Sequence, residues 1–164
     1  MSGSQISHLN ANGLVFSNNF SKVIQEILLA TASVYLVPEV ATPEIEKEYP
    51  SFVTGMMILH GERDLVLTLS FSRMAAADLM VSLLGSKYNQ IIADDVYDAV
   101  KETTNMVAGK LKTATSSLGV SYQLTTPFIF VGTNHFWAAH SRPAGVVKKF
   151  KDKNFEMLAG IFFL

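Results

Sequence analysis

The sequence predicts an α+β fold in which a mostly antiparallel sheet packs against two long helices and a shorter one. Three observations support this prediction. Apolar residues recur with helical spacing over residues 15–34, 72–85 and 94–119. A hairpin pattern occupies residues 51–71, and a run of strand-like segments fills residues 122–164. Because these last strands follow one another along the chain, antiparallel pairing is favoured.

Composition limits the class of protein. The chain has 164 residues, 49% of them hydrophobic and 16% charged, which indicates one packed domain over residues 14–164 after a flexible polar lead at residues 1–13. The formal net charge of −1 gives no reason to expect nucleic acid or an anionic membrane as partner. Cysteine is absent, which excludes disulfides and thiolate chemistry. Without a visible signal peptide or an apolar run of about 18 residues, we expect a cytoplasmic protein.

The first elements follow from periodicity and breakers. Val15–Val34 carries apolar residues at helical spacing and is predicted to form the first helix. Tyr35–Val37 looks extended and stops at Pro38, and Glu39–Pro50 is expected to be a solvated loop because it is rich in proline and glutamate.

A β-hairpin is predicted next. Ser51–His60 and Leu65–Phe71 are the strands, and Gly61–Asp64 is the turn. Large apolar residues alternate with Val66, Thr68 and Ser70 in the second strand, which predicts one buried face.

Two further helices have recognisable ends. Ser72 is suited to cap a short helix that ends at Gly85. Asp94 or Asp95 is expected to begin the long helix, and Gly119 is expected to end it.

The remaining segments have the pattern of strands separated by turn residues: Tyr122–Val131, His135–His140, Gly145–Lys151 and Phe155–Leu164. Pro127 lacks the backbone N–H that a central strand donates, so it predicts an edge strand or a bulge.

The long helix carries the candidate functional residues. Its apolar positions form a single stripe made of Val96, Val100, Thr103, Val107, Leu111, Ala114 and Leu118. Glu102 and Asn105 lie away from that stripe and, at about 100° per residue, point out on nearly the same side. Asp98 and Gly109 share their side of the helix, so a carboxylate and an amide are displayed together beside a position that has no side chain. We interpret this surface as a site.

Other interpretations of these residues remain open at this point. Glu102 and Asn105 would also suit an ordinary solvated helix face. Gly109 costs about 1 kcal/mol relative to alanine inside a helix, which indicates close approach by another helix of the chain or by a partner. The histidines do not form a metal-ligand pattern, since His135 and His140 would point to opposite faces of a strand, and no metal site is predicted.

The chain resembles the CheX branch of the CheC/CheX/FliY chemotaxis phosphatases. The similar text on the long helix is Asp98-Ala99-Val100-x-Glu102-x-x-Asn105-Met106-Val107-Ala108-Gly109-x-x-Lys112-Thr113. The strand around Pro127 that closes at Gly132, and the hairpin Gly55–Phe71 followed by the short helix, also resemble that family. The likeness spans roughly residues 14–164 as an ordered set of elements.

The resemblance implies dephosphorylation of the phospho-aspartate of a CheY-like response regulator. It implies that Asn105 orients the attacking water and that Glu102 pairs with the regulator's lysine. Asp98, Lys101, Gly109 and Lys110 would contact the partner. The regulator would supply Mg²⁺, so no cofactor is expected on this chain.

The resemblance also implies a homodimer with one site per chain. CheC-like members carry a second motif copy on the first helix, where this chain has Leu29 in place of the asparagine. The chain differs from common family members at Lys101, at Thr103-Thr104 and at Lys110. A non-catalytic interaction or dimerisation module on the same fold, in a signalling or flagellar-switch pathway, is the alternative. A small-ligand sensor is a weaker one.

Overall fold

The computed structural model describes residues 11–34, 37–39, 52–85, 87–133, 145–152 and 155–164. Its helices and strands, in chain order, are α1 (Ala11–Ala32), β1 (Val37–Glu39), β2 (Val53–His60), β3 (Leu65–Phe71), α2 (Arg73–Leu84), α3 (Ala93–Ser116), β4 (Gln123–Leu124), β5 (Phe128–Val131), β6 (Gly145–Asp152) and β7 (Phe155–Phe163). A single 3₁₀ turn at Tyr88–Gln90 joins α2 to α3. Residues 1–10 of the predicted lead, nearly all of the predicted loop before residue 51 and the strand predicted at His135–His140 lie outside the described residues. Residues 11–13 of that lead belong to α1. The extended segment does not stop at Pro38, because β1 is an edge strand, where a proline is tolerated.

The described strands form one antiparallel sheet. Its order is β1-β6-β7-β3-β2, and β4 and β5 both pair with the far side of β2. Helices α2 and α3 contact the sheet, and α1 packs against both of them. The predicted α+β architecture, with two long helices of 22 and 24 residues and a shorter one of 12, is therefore confirmed.

The β2–β3 hairpin pairs as predicted, with Val53 opposite Phe71 and Leu59 opposite Leu65. In the turn, Gly61 donates its backbone N–H to the Asp64 carboxylate at 3.1 Å, and His60 Nδ1 lies 3.0 Å from the other carboxylate oxygen. These two contacts, the backbone one first, hold the pKa of Asp64 below its ordinary value.

The expectation of one buried face for β3 was wrong. Val66 and Thr68, on the face away from the helices, are only 5% and 4% exposed. The reason lies on the neighbouring strand β7, where the ring of Phe162 lies across Gly160, so closely that a Cβ there would fall 2.7 Å from it. Because Gly160 pairs with Thr68 and Phe162 with Val66, the ring shields this second face. The alternation of residue types within β3 cannot predict that a side chain of a neighbouring strand covers its second face.

The ends of α2 agree with the sequence. The Ser72 hydroxyl accepts the backbone N–H of Ala75 at 3.2 Å, and Gly85 takes up the left-handed conformation at a φ of 62°.

The long helices begin or end at other residues than expected. Helix α1 starts at Ala11 rather than Val15, because backbone hydrogen bonding extends beyond the apolar stripe, and it ends where Ser33 adopts a φ of 53°. Helix α3 starts at Ala93, so Asp94 and Asp95 lie in its first turn, where a negative charge favours the helix dipole, instead of capping it. Gly119 follows the helix in the left-handed conformation.

Helix α3 lies close on β2. The predicted apolar stripe is buried from Val96 to Leu111, whereas Leu118 is 55% exposed beyond the end of the helix. Thr103 and Thr104 are both fully buried, and each donates its hydroxyl to the carbonyl oxygen four residues earlier. These two departures from the family pattern are therefore core positions, with their hydroxyl groups satisfied inside the helix.

Candidate active site

Glu102 and Asn105 lie one turn apart on the exposed side of α3. The residues between them, Thr103 and Thr104, point into the core and fix the rotation of the helix. Within the described parts of the chain, no hydrogen bond or ion pair engages the side chain of either Glu102 or Asn105. The carboxylate and the amide are thus both available to a molecule that approaches from solvent.

The two side chains border a groove of about 690 Å³. Three elements contribute to it: the exposed side of α3, the C-terminal end of α2 and the connection between β4 and β5. The lining residues are Asp98, Ala99, Lys101, Glu102 and Asn105 of α3, Leu83 and Leu84 of α2, and Thr125, Thr126 and Pro127 of the connection.

The connection between β4 and β5 is a bulge. Leu124 pairs with Leu59 and Phe128 pairs with Met56, so the three residues 125–127 face only two residues of β2. The disruption that Pro127 predicted is therefore present, at the edge of the sheet and beside the groove.

Two hydrogen bonds anchor this bulge to β2. The backbone N–H of Thr125 donates to the carbonyl oxygen of Ile58 at 3.1 Å, and the backbone N–H of Ile58 donates to the Thr125 hydroxyl at 3.1 Å. The side chain thus replaces the ladder bond that the bulge interrupts, and the following residues extend from a fixed base.

Two charged residues of α3, Asp98 and Lys101, lie beside the motif. Lys101 Nζ lies 2.8 Å from a carboxylate oxygen of Asp98, in a pair whose two side chains are 46% and 71% exposed. Asp98 is therefore engaged with its neighbour, whereas Glu102 keeps its carboxylate free to accept a cationic donor. Asn105 can both donate and accept, which suits an amide to hold a water molecule.

Lys110 and Gly109 lie apart from these residues and do not line the groove. Lys110 forms an ion pair with Glu26 of α1, in a smaller groove of about 230 Å³ between α1 and α3. That bond is the main reason that the pKa of Glu26 is lowered. A Cβ at Gly109 would meet no described atom within 4 Å, so close packing of a described helix does not explain this glycine. The structure thus brings together four of the six predicted site residues, Asp98, Lys101, Glu102 and Asn105.

The groove residues outside α3 were not predicted as part of a site. Leu83 and Leu84 follow ordinary helical spacing, and nothing local marks them as partners of a motif almost twenty residues away. Pro127 alone carried a signal, for a bulge rather than for a site. Among the residues that the structure describes, no group of three or more histidine, aspartate and glutamate side chains is placed to hold a metal ion. None of the helices over these residues is both long and apolar enough to cross a membrane.

Solved structures with the same fold were found. A chemotaxis protein CheX from Desulfovibrio desulfuricans is 21% identical, with a TM-score of 0.80, and the match covers 92% of this chain and 99% of that one. A CheC-like superfamily protein from Shewanella sp. PV-4 is 26% identical, with a TM-score of 0.80 over 91% and 97% of the two chains. A chain of the CheX-CheY-BeF3-Mg complex from Borrelia burgdorferi is 14% identical, with a TM-score of 0.70 over 90% and 97%.

Sequence comparison gives the family. No curated protein matches the chain. A family model described as "Chemotaxis phosphatase CheX" matches residues 53–151, which contain the hairpin, α2, α3 with its motif, and the bulge. With more than half of the chain matched, and with the fold shared over nearly its whole length, this protein belongs to the CheX family.

Proposed function

We propose that this protein is a phosphatase that hydrolyses the phospho-aspartate of a CheY-like response regulator. The observation that carries the proposal is the free carboxylate and amide of Glu102 and Asn105, displayed side by side at a groove on a helix whose other side is buried. The family description as a chemotaxis phosphatase supports it, as does the existence of a CheX-CheY complex among the structural relatives.

In the proposed mechanism this chain positions the reacting groups and forms no covalent bond with the phosphoryl group. Asn105 would orient a water molecule in line with the phosphorus atom, and Glu102 would pair with a lysine of the regulator. Phosphoryl transfer depends mainly on such positioning and on electrostatic stabilisation. An amide suits this role because it holds water without having to titrate.

Any Mg²⁺ in the reaction is assigned to the regulator, since Asp98 is paired with Lys101 and Glu102 stands alone among the carboxylates of the groove. Such an ion neutralises charge on the phosphoryl oxygens when it is bound. We further propose a cytoplasmic homodimer, in keeping with the resemblance, and a partner contact at Gly109 and Lys110 that lies outside the groove.

The test is the decay of a phosphorylated CheY-like regulator with the native protein and with the Asn105→Ala and Glu102→Lys variants. We expect Asn105→Ala to lower turnover by about 10²-fold or more while binding survives, because one positioning group is lost. Glu102→Lys should weaken binding itself, because it reverses the charge at the docked surface. Lys151→Ala, at an exposed position of β6 on the other side of the sheet from β2, is the control and should leave decay unchanged.

Two results would contradict the proposal. If the native protein does not accelerate the decay of any of several regulators, the proposed activity is ruled out. If both variants lose binding and turnover equally, the separate roles proposed for Asn105 and Glu102 are ruled out.

A further inference from the structure

We propose that the groove residues that flank the motif, Leu84 on the α2 side of α3 and Thr126 and Pro127 on the β4–β5 side, form a docking surface for the receiver domain of the regulator. This inference rests on the proposed function and adds to it residues from two elements that lie outside the motif helix. The occupant is the protein surface surrounding the phospho-aspartate, with the phosphoryl group itself directed towards Glu102 and Asn105.

The groove is larger than a phosphoryl group requires. Its volume of about 690 Å³ lies within the range of clefts that enclose drug-sized ligands, and one phosphoryl group would fill only a small part of it. With the two motif residues on one side, the remaining space is available to side chains that surround the phosphorylated residue.

Leu84 supplies an apolar contact on the α2 side of the groove. It is the last residue of α2 and is 54% exposed, although Leu83 beside it packs against the core. A single exposed leucine needs no explanation on an open surface, but this one lines the groove beside the polar side of α3. The helix that carries it packs on α3 and ends at the left-handed Gly85, so the leucine is presented without further ordering of the backbone.

Thr126 and Pro127 supply contacts on the β4–β5 side of the groove. Thr126 is exposed, and its backbone extends from Thr125, which holds β2 through two hydrogen bonds. Pro127 restricts the backbone next to it. A bulge re-aims side chains at a sheet edge, and here it directs the threonine towards the groove. Preorganised contacts of this kind lower the entropic cost of docking.

The motif and the residues that flank it therefore have roles that can be measured separately. Asn105 acts on the phosphoryl group and should govern kcat. The flanking residues touch only the surrounding protein and should govern affinity and KM, to which Glu102 also contributes.

The test uses Leu84→Asp and Thr126→Arg in the full chain, with Leu118→Asp as control. Leu118 is as exposed as Leu84, at 55%, but lies beyond the end of α3 and outside the groove. The probe is the CheY-like receiver domain that the native protein dephosphorylates fastest, or binds most tightly if none is dephosphorylated. For binding it is activated with beryllofluoride and Mg²⁺, and for kinetics it is phosphorylated.

We expect the dissociation constant and KM to rise about tenfold or more in both groove variants. In Leu84→Asp a carboxylate would have to be desolvated where an apolar contact belongs, and in Thr126→Arg a bulky charge would enter the groove. The kcat should stay within about twofold of native, and Leu118→Asp should behave as native throughout.

Unchanged affinity and KM in both Leu84→Asp and Thr126→Arg would overturn the inference while the phosphatase proposal stands. If the native protein binds the activated receiver without accelerating decay, and the groove variants alone lose that binding, the docking surface stands and the proposed activity fails. Native-like circular dichroism of each variant identifies loss of folding.

Discussion

The close contact between α3 and β2 makes Gly55→Ala a sharp test of how the motif helix is held. A Cβ at Gly55 would lie 2.1 Å from Thr104 Oγ1, about 1.3 Å short of an ordinary contact. The hydroxyl cannot easily yield, because it donates to the carbonyl oxygen of Val100 at 2.7 Å. Either that bond breaks or α3 lifts from the sheet.

The expected cost follows from this geometry. Adding a methylene to a packed core costs roughly 1–3 kcal/mol, and the tight contact with a fixed group places Gly55→Ala at about 2–3 kcal/mol. Thr104→Ala should cost about 1 kcal/mol through the small cavity that it leaves. The remaining contacts of the new Cβ, 3.1 Å to Val100 and 3.2 Å to the Cβ of residue 104, are tight but tolerable. The double variant should therefore be more stable than the sum of the two losses by at least about 1 kcal/mol.

Urea unfolding of the native protein, the two single variants and the double variant measures this coupling, provided that the m value stays constant. Additive losses, or a Gly55→Ala variant as stable as native, would refute the reasoning, because either result means that α3 does not lie at the described distance from β2.

Two smaller predictions concern the helix ends and the α1–α3 contact. Ser72→Ala should lower the free energy of unfolding by about 1 kcal/mol, and Ser72→Asp should retain most of it, because only the alanine leaves the Ala75 N–H uncapped; chemical denaturation checks both. Lys110→Ala should raise the pKa of Glu26 towards its ordinary value of 4.5, measurable by NMR titration, and an unchanged titration would show that the pair does not form in solution. Because the pKa of Glu26 is depressed in the folded state, its stabilisation is present above pH 4.5 and is lost as the pH falls through the folded-state pKa, so the stability difference between native and Lys110→Ala should shrink over that window.

Local signals were sufficient for much of the fold. The cap at Ser72, the helix end at Gly85 and the strands and turn of the hairpin each depend on residues within a few positions of one another, and all were predicted. The buried stripe of α3 was predicted as far as Leu111, since helical periodicity reports which side of a helix faces a core.

Features that depend on distant residues were missed. The burial of Thr68 needs the ring of Phe162, which is nearly one hundred residues away in sequence. In the candidate site, too, local features were predicted and features that depend on distant residues were not. The motif pair on α3 was visible in the sequence, but the positions of Leu84 and Thr126 beside it arise only when α2 and the bulge pack on either side of α3. The ion pair of Lys110 could not be predicted from its position on α3, because its partner Glu26 belongs to another helix.

The position of β7 has a consequence for how the fold is assembled. It follows every other described strand in sequence, yet it lies between β3 and β6. The β2–β3 hairpin can form early, because its closure is local, whereas β1 and β6 reach the rest of the sheet only through β7. Strand β7 therefore connects the β1–β6 pair to the β2–β3 hairpin. A substitution that disrupts β7 would therefore separate β1 and β6 from the sheet together. The hairpin and the helices that carry the candidate site would remain packed on each other.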